Sequence, residues 1–187
     1  MKRKKAMEKI LESIDEIASH DQREVVIPDG YTKIGVGAFF ACCSLASVVI
    51  PNSVTEIDGS AFEGCTSLAS VVIPASVKKI GLSAFESCSS LVSVVLPASV
   101  KKIGNWAFSG CTSLENVVIP PSITEISVYT FEDCTSLASV VIPDSVAEIE
   151  SGAFYGCTSL ESVSVSQSTQ WDEDAFENCP KVKIIRR

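Results

Sequence analysis

The chain has 187 residues, 46% of them hydrophobic and 20% charged, enough apolar content for one continuous core and too little charge for a disordered tail. Its net charge of −8 is localised. Residues 1–24 carry six acids and six bases, residues 166–187 four of each, and residues 25–165 hold thirteen acids against five bases. An acidic body cannot release counterions from a phosphate backbone, so nucleic acid is not an expected partner. No apolar run reaches the roughly 20 residues needed to span a bilayer, so no membrane insertion is expected either.

In chain order, residues 4–19 come first. Met7, Ile10, Leu11, Ile14, Ile17 and Ala18 recur at i, i+3, i+4 spacing, opposite Lys5, Glu8, Lys9, Glu12 and Glu16. This pattern predicts an amphipathic helix folded as a cap over the neighbouring part of the chain. The opening Met-Lys-Arg-Lys-Lys resembles the basic start of an export signal. Glu8, Glu12, Asp15 and Glu16 interrupt the apolar stretch such a signal requires. As written, the chain is expected in the cytoplasm, or secreted or at the cell surface if a leader was removed.

Next comes a repeat. Proline recurs at 28, 51, 74, 97, 120 and 143, a constant step of 23. Phenylalanine keeps that step from 39 to 154, cysteine from 42 to 157, and leucine from 45 to 160. The spacing of Leu68, Val71 and Ile73 predicts a short β-branched strand with these three side chains turned inward. Pro74 ends the strand, because it has no N–H for a continuing ladder. Val77 and Ile80 return to the core, and Ala84 and Phe85 lie on a short helical or 3₁₀ turn. Gly64, Gly110 and Gly156 come just after that turn, where a left-handed residue is needed. One unit cannot bury its own apolar residues; stacked units share a core. Strands stacked at ~4.8 Å predict a seven-stranded parallel sheet roughly 30 Å long.

The run Ile-Pro-x-Ser-Val-x-x-Ile-Gly-x-x-Ala-Phe-x-x-Cys-x-Ser-Leu resembles the BspA-like, or Treponema-type, leucine-rich repeat of bacterial and protist proteins. The resemblance covers about residues 25–185. It implies an α/β repeat solenoid, a curved right-handed coil with a parallel sheet on its concave face, here with the N-terminal helical cap. It further implies surface adhesion and binding of host or partner-cell proteins. The expected organisation is a cap over 1–24, about six 23-residue repeats over 25–165, and a degenerate last repeat over 166–187. In that last unit the register slips by one, to Phe176, Cys179 and Val182. Arg186 and Arg187 on the final strand discourage edge pairing with another molecule, and the chain reads as a small capped domain.

Little in the sequence suggests chemistry. The eight cysteines contain no C-x-x-C pair, so neither zinc nor another metal is expected, and no cofactor. Seven stand in the repeat column with parallel side chains, which favours a ladder of buried free thiols over disulfides. His20 is the single histidine and ends the expected helix. No nucleophile, base and orienting group can be named together, so no catalytic residue is assigned. The repeated Ser53, Ser76, Ser99, Ser122 and Ser145 read as turn hydroxyls satisfying backbone groups.

The informative surface is the outer face of the sheet. Strand alternation turns Val49, Val72, Val95, Val118 and Val141 outward. Ser70, Ser93 and Asn116 run beside them, with Val92 in a third column. A contiguous exposed apolar stripe marks an interaction site, so a protein partner is expected on Ser70, Val72, Val92, Ser93, Val95, Asn116, Val118 and Val141. Lys78, Lys79, Lys101 and Lys102 form a secondary basic cluster. The chain is expected to be a monomer or a weak homo-oligomer. Two alternatives are a self-assembling structural element and a designed or consensus scaffold, which such similar repeats also fit.

Overall fold

The computed structural model describes residues 8–187, and within them the 23-residue step is a stack of coils. Each coil contributes one strand to each of two parallel ladders. The first ladder begins with Glu24–Val26, Ser47–Val49, Ser70–Val72, Ser93–Val95 and Asn116–Val118. It resumes as a separate sheet of Ser139–Val141, Ser162–Val165 and Lys183–Arg186. The second ladder was legible only as an extended return. It joins two-residue strands, Ile10–Leu11 through Lys102–Ile103, and then Glu125–Ile126, Glu148–Ile149 and Gln170–Trp171. Register is kept throughout each sheet, Val71 against Val94 and Ile80 against Ile103. The single seven-stranded sheet expected from the sequence is thus replaced by two sheets, of five and three strands, and the second ladder adds two more.

Two expectations about helices are corrected. The turn around Ala84 and Phe85 is not helical, because it contains two left-handed residues, Ser83 at φ 53 and Ser87 at φ 58. Six successive coils, from Gly37 and Ala41 to Gly152 and Gly156, repeat that device, and the last keeps only its second residue, Asn178. Gly64, Gly110 and Gly156 occupy the second left-handed site, as expected, alongside Ala41, Asp133 and Asn178. The fold is therefore built of β-strands and turns, not α/β.

The N-terminal helical cap is also absent over the described residues; Met7 and the residues before it lie outside them. Instead Ile10–Leu11 pairs in parallel with Lys33–Ile34. Thr32 and Gly35 donate their amides to the Lys9 and Leu11 carbonyls, at 2.8 and 2.7 Å. Ile14 donates in turn to the Ala38 carbonyl at 2.8 Å. A helix laid across this edge would leave the first coil's amides without acceptors, and buried backbone groups demand partners. Among the described residues one 3₁₀ turn remains, Ile14–Glu16, closed by a capping box between Ser13 and Glu16. The apolar residues keep their inward role: Leu11 and Ile14 are fully buried. The segment is a partial coil in register with the rest.

The core lies between the ladders and is closed on its third side by the phenylalanine turns. Seven rings, from Phe39 to Phe176, form one continuous stack with centroid spacings from 4.8 to 5.6 Å. Such offset stacking adds about 0.5–1.5 kcal/mol per pair beyond burial. The cysteine column packs beside it. Cys65, Cys88, Cys111, Cys134, Cys157 and Cys179 each donate the thiol to the phenylalanine carbonyl of the preceding coil, at 3.0–3.3 Å. Cys42 has no phenylalanine behind it and lies 3.4 Å from His20 Nδ1 instead. The serine column behaves as a cross-coil tie: Ser99, Ser122 and Ser145 donate to Val77, Val100 and Ile123 carbonyls at 2.6–2.7 Å. Ser53 accepts from the Gly30 amide, whereas the buried Ser76 hydroxyl finds no partner among the described residues.

All eight thiols are free, and only Cys43 is exposed. Burial pushes the thiols of Cys42, Cys65, Cys88, Cys111 and Cys134 up, Cys42 to about 11 and the others, deeper in the stack, further. Unfolding therefore exposes stronger acids. The stability this contributes is fully present below the free-thiol pKa of about 8.5 and declines as pH rises above it. A thiol reagent at neutral pH is expected to label Cys43 quickly and the rest only on unfolding. All eight should react in denaturant without reductant; fewer than six would mean that disulfides form.

Candidate functional site

The outward residues of the first ladder are held by the inward ones. In the strands from Ser70–Val72 to Ser139–Val141 a buried valine stands between two exposed positions: Val94 is 2% exposed, whereas Val95 is 67% exposed. Pairing in register then stacks the outer side chains into columns. Val26, Val49, Val72, Val95 and Val118 are direct partners along one sheet. Ser47, Ser70, Ser93 and Asn116 form the adjoining column. Val92 is exposed just before its strand. In the second sheet the valine column continues as Val141, then changes to Ser164 and Ile185.

The expected binding residues therefore divide. Ser70, Val72, Ser93, Val95, Asn116 and Val118 share one continuous face, with Val92 at its margin. Val141 stands on the neighbouring sheet, across a discontinuity. Val26 belongs to the same stripe; the signal for it was its place one 23-residue step before Val49, at the start of the repeats.

The discontinuity coincides with a concave feature of the face. Between Asn116–Val118 and Ser139–Val141 lies a cleft of about 370 Å³ lined by Asn116, Val118, Ile119, Ser139, Val141 and Pro143. The second ladder parts at the same junction, between Lys102–Ile103 and Glu125–Ile126. Here the phenylalanine stack takes its widest step, 5.6 Å from Phe108 to Phe131, against the 4.7–4.9 Å at which strands pair. Trp106 and Tyr129, both left-handed, stack across the same junction at 5.7 Å. The Ser127 hydroxyl reaches the Ile103 carbonyl at 2.9 Å. In other coils a backbone amide takes that carbonyl, as Gly104 does from Ile80. Stacked rings, hydroxyls and turn amides thus keep the coils joined where the ladders part.

Lys78, Lys79, Lys101 and Lys102 are all exposed and lie together on the second ladder, as the sequence indicated. Lys33 is paired with Glu56 at 3.1 Å, which raises its ammonium pKa. Its second carboxylate, Asp58, also meets Lys79 at 3.8 Å. At the last coil Trp171, Phe176 and Ile184 line a hollow of about 740 Å³ rimmed by Glu173, Asp174 and Glu177. Arg186 lies over the Trp171 ring at 4.5 Å, and Arg187 binds the Ile142 carbonyl and Asp144. Among the described residues no group of three or more His, Cys, Asp and Glu is placed to hold a metal ion. No helix among them is long and apolar enough to cross a membrane.

Stacked coils, a parallel strand per coil and inward Leu-Val-Ile spacing define a leucine-rich-repeat solenoid. The chain belongs to the BspA type leucine rich repeat family, which matches in six copies over residues 18–96 and 80–186. It is similar to a leucine-rich repeat protein from Bacteroides ovatus, at 27% identity and TM-score 0.65, covering 95% of this chain and 58% of that one. A leucine rich cell surface protein from Faecalibacterium prausnitzii is 28% identical, with TM-score 0.57, covering 87% and 59%. A leucine rich repeat protein of T. pallidum is 33% identical, with TM-score 0.62, covering 75% and 78%. The chain thus spans under two thirds of the length of the first two. No curated protein matches it.

The alternation of inward and outward side chains is directly testable. Val95→Glu is expected to change the unfolding free energy by no more than about 0.5 kcal/mol. Leu91→Ala, in the same coil, should cost about 2–5 kcal/mol. Urea denaturation measures both; a large loss for Val95→Glu would place that side chain in the core.

Proposed function

We propose that this chain is a non-enzymatic protein-binding module whose partner docks on the exposed valine face of the first ladder. The observation that carries this reading is the unbroken column Val26 to Val118, apolar and exposed in every coil, ending at a cleft against Val141. Monomeric proteins rarely leave a contiguous apolar stripe of this kind uncovered. Ser70, Ser93 and Asn116 beside it supply hydroxyl and amide groups for the polar rim that such interfaces carry. The sheet is ordered by its own ladder, so docking orders little new chain and loses little entropy.

The similarity to a cell surface protein of F. prausnitzii supports adhesion, or contact with a partner cell, as the setting. On this reading Val95 and Val118 are central anchors and Val92 lies at the edge. The cleft between Asn116 and Ser139 takes one apolar side chain of the partner.

Affinity capture with mass spectrometry, using the wild type beside Val72→Glu/Val95→Glu/Val118→Glu, tests the proposal. A partner held by the first and lost by the second is expected, with both proteins equally stable. Identical captures from both would show that the valines only favour strand formation.

A further inference from the structure

The second ladder has a feature that the valine face does not explain. Between residues 25 and 165 the chain has five bases, and all five stand in two adjoining columns on this ladder: Lys33, Lys78, Lys79, Lys101 and Lys102. Lys33 is neutralised by Glu56 and Asp58. Lys79 and Lys102 are direct strand partners, and like charges placed opposite each other across a ladder destabilise it. Lys79 shares Asp58 at 3.8 Å, and among the described residues Lys102 has no ion-pair partner. In a chain of net charge −8, these two facing ammonium groups are poorly compensated and form a local site of positive charge.

The backbone beside these lysines offers donors. In one coil the residue two positions after the inward isoleucine, Val128, donates its amide to the next coil. The acceptor is Glu150 Oε2, a carboxylate oxygen, at 3.0 Å. The equivalent amides of Val36, Gly59, Leu82, Asn105 and Ser151 donate to no acceptor among the described residues; Gly59, Leu82 and Asn105 are the three that adjoin the lysines. The position that Glu150 fills is Gly81 beside Gly59, Gly104 beside Leu82, and Ser127 beside Asn105. The Ser127 hydroxyl is committed to Ile103. The two glycines cannot be replaced by a capping residue, since a Cβ on Gly81 would lie 2.6 Å from the Gly59 nitrogen and one on Gly104 2.5 Å from the Leu82 nitrogen. These amides are left to water or to an acceptor from outside the chain.

Lysines and amides line one groove. A depression of about 380 Å³ is bounded by Gly59, Lys79, Gly81, Leu82, Lys102 and Asn105. We propose that this groove binds the carboxylates of an acidic peptide segment, which take at Gly59, Leu82 and Asn105 the place that Glu150 takes at Val128. Lys79 and Lys102 supply the charge, and the amides supply direction. Charge-assisted hydrogen bonds of this kind are roughly twice as strong as neutral ones. The leucine side chain at 82 offers an apolar contact to the peptide's methylenes. The site is independent of the valine face, on the other ladder of the same coils.

The test is a ¹⁵N-resolved titration of the whole chain with acetyl-Glu-Glu-Glu-Glu-amide, with sodium sulfate at equal ionic strength as a second arm. Saturable shifts are expected at the amides of Gly59, Leu82 and Asn105, with Val128 unmoved because its acceptor is already present. Lys79→Gln/Lys102→Gln, both exposed and so expected to fold, should weaken binding at least about tenfold. Non-saturating shifts, shifts unchanged in that variant, or equal shifts with sulfate would each overturn the proposal; the last would mean general attraction of anions.

Discussion

Each coil meets its neighbour through the same contacts at the phenylalanine turn. The amide of Phe62 donates to the Ala84 carbonyl of the next coil at 2.8 Å. The Phe62 carbonyl accepts from Cys65 in its own coil and from the Cys88 thiol in the next, and the ring stacks on Phe85 at 5.1 Å. Both lone pairs and the N–H of a fully buried residue are thereby used, which burial away from water requires. A thiol is the side chain that fits: small, apolar and a weak donor. The constraint also fixes the repeat, since neither ring nor thiol has its partner unless the next coil returns after the same length of chain.

The turn column runs unbroken where the sheets do not. Across the junction between Phe108 and Phe131 the turn amide bond to Thr130, the ring stack and the Cys134 thiol bond all persist. Both ladders part there. The cost is local, because a repeat array is held by nearest-neighbour contacts and one weakened interface leaves the others intact. Its consequence is a cleft in an otherwise even surface, bordered by Val118 and Val141. On the proposed function, the parting of the ladders opens the face to a partner side chain.

Much of this was legible in the chain itself. A strict 23-residue step with Pro, Phe, Cys and Leu in fixed places leaves one architecture, and inward and outward valines follow from strand alternation. What misled was the N-terminal segment. Its apolar spacing fits a helix, but Leu11 also stands one 23-residue step before Ile34, and the exposed edge of the first coil decides between the two. Helix propensity within a short segment is weak beside a row of backbone groups awaiting partners. The second ladder was hidden because two-residue strands leave no alternation to read. The junction was hidden because Trp106, Tyr129 and Ser127 matter through spacing between coils, which one coil's sequence does not express. The lysine cluster was legible as charge. The amides beside it were not, since backbone donors carry no letter in the sequence.

The central claim is that the phenylalanine turns, rather than the sheets, carry the continuity of the solenoid. Native-state hydrogen exchange, resolved by residue, tests it most directly. The Phe108 amide is expected to be as protected as those of Phe62 and Phe85, while the Thr124 and Ala138 amides beyond the parted ladders exchange quickly. Protection that falls at Phe108, or that persists at Thr124 and Ala138, would show that the sheets hold the two halves together.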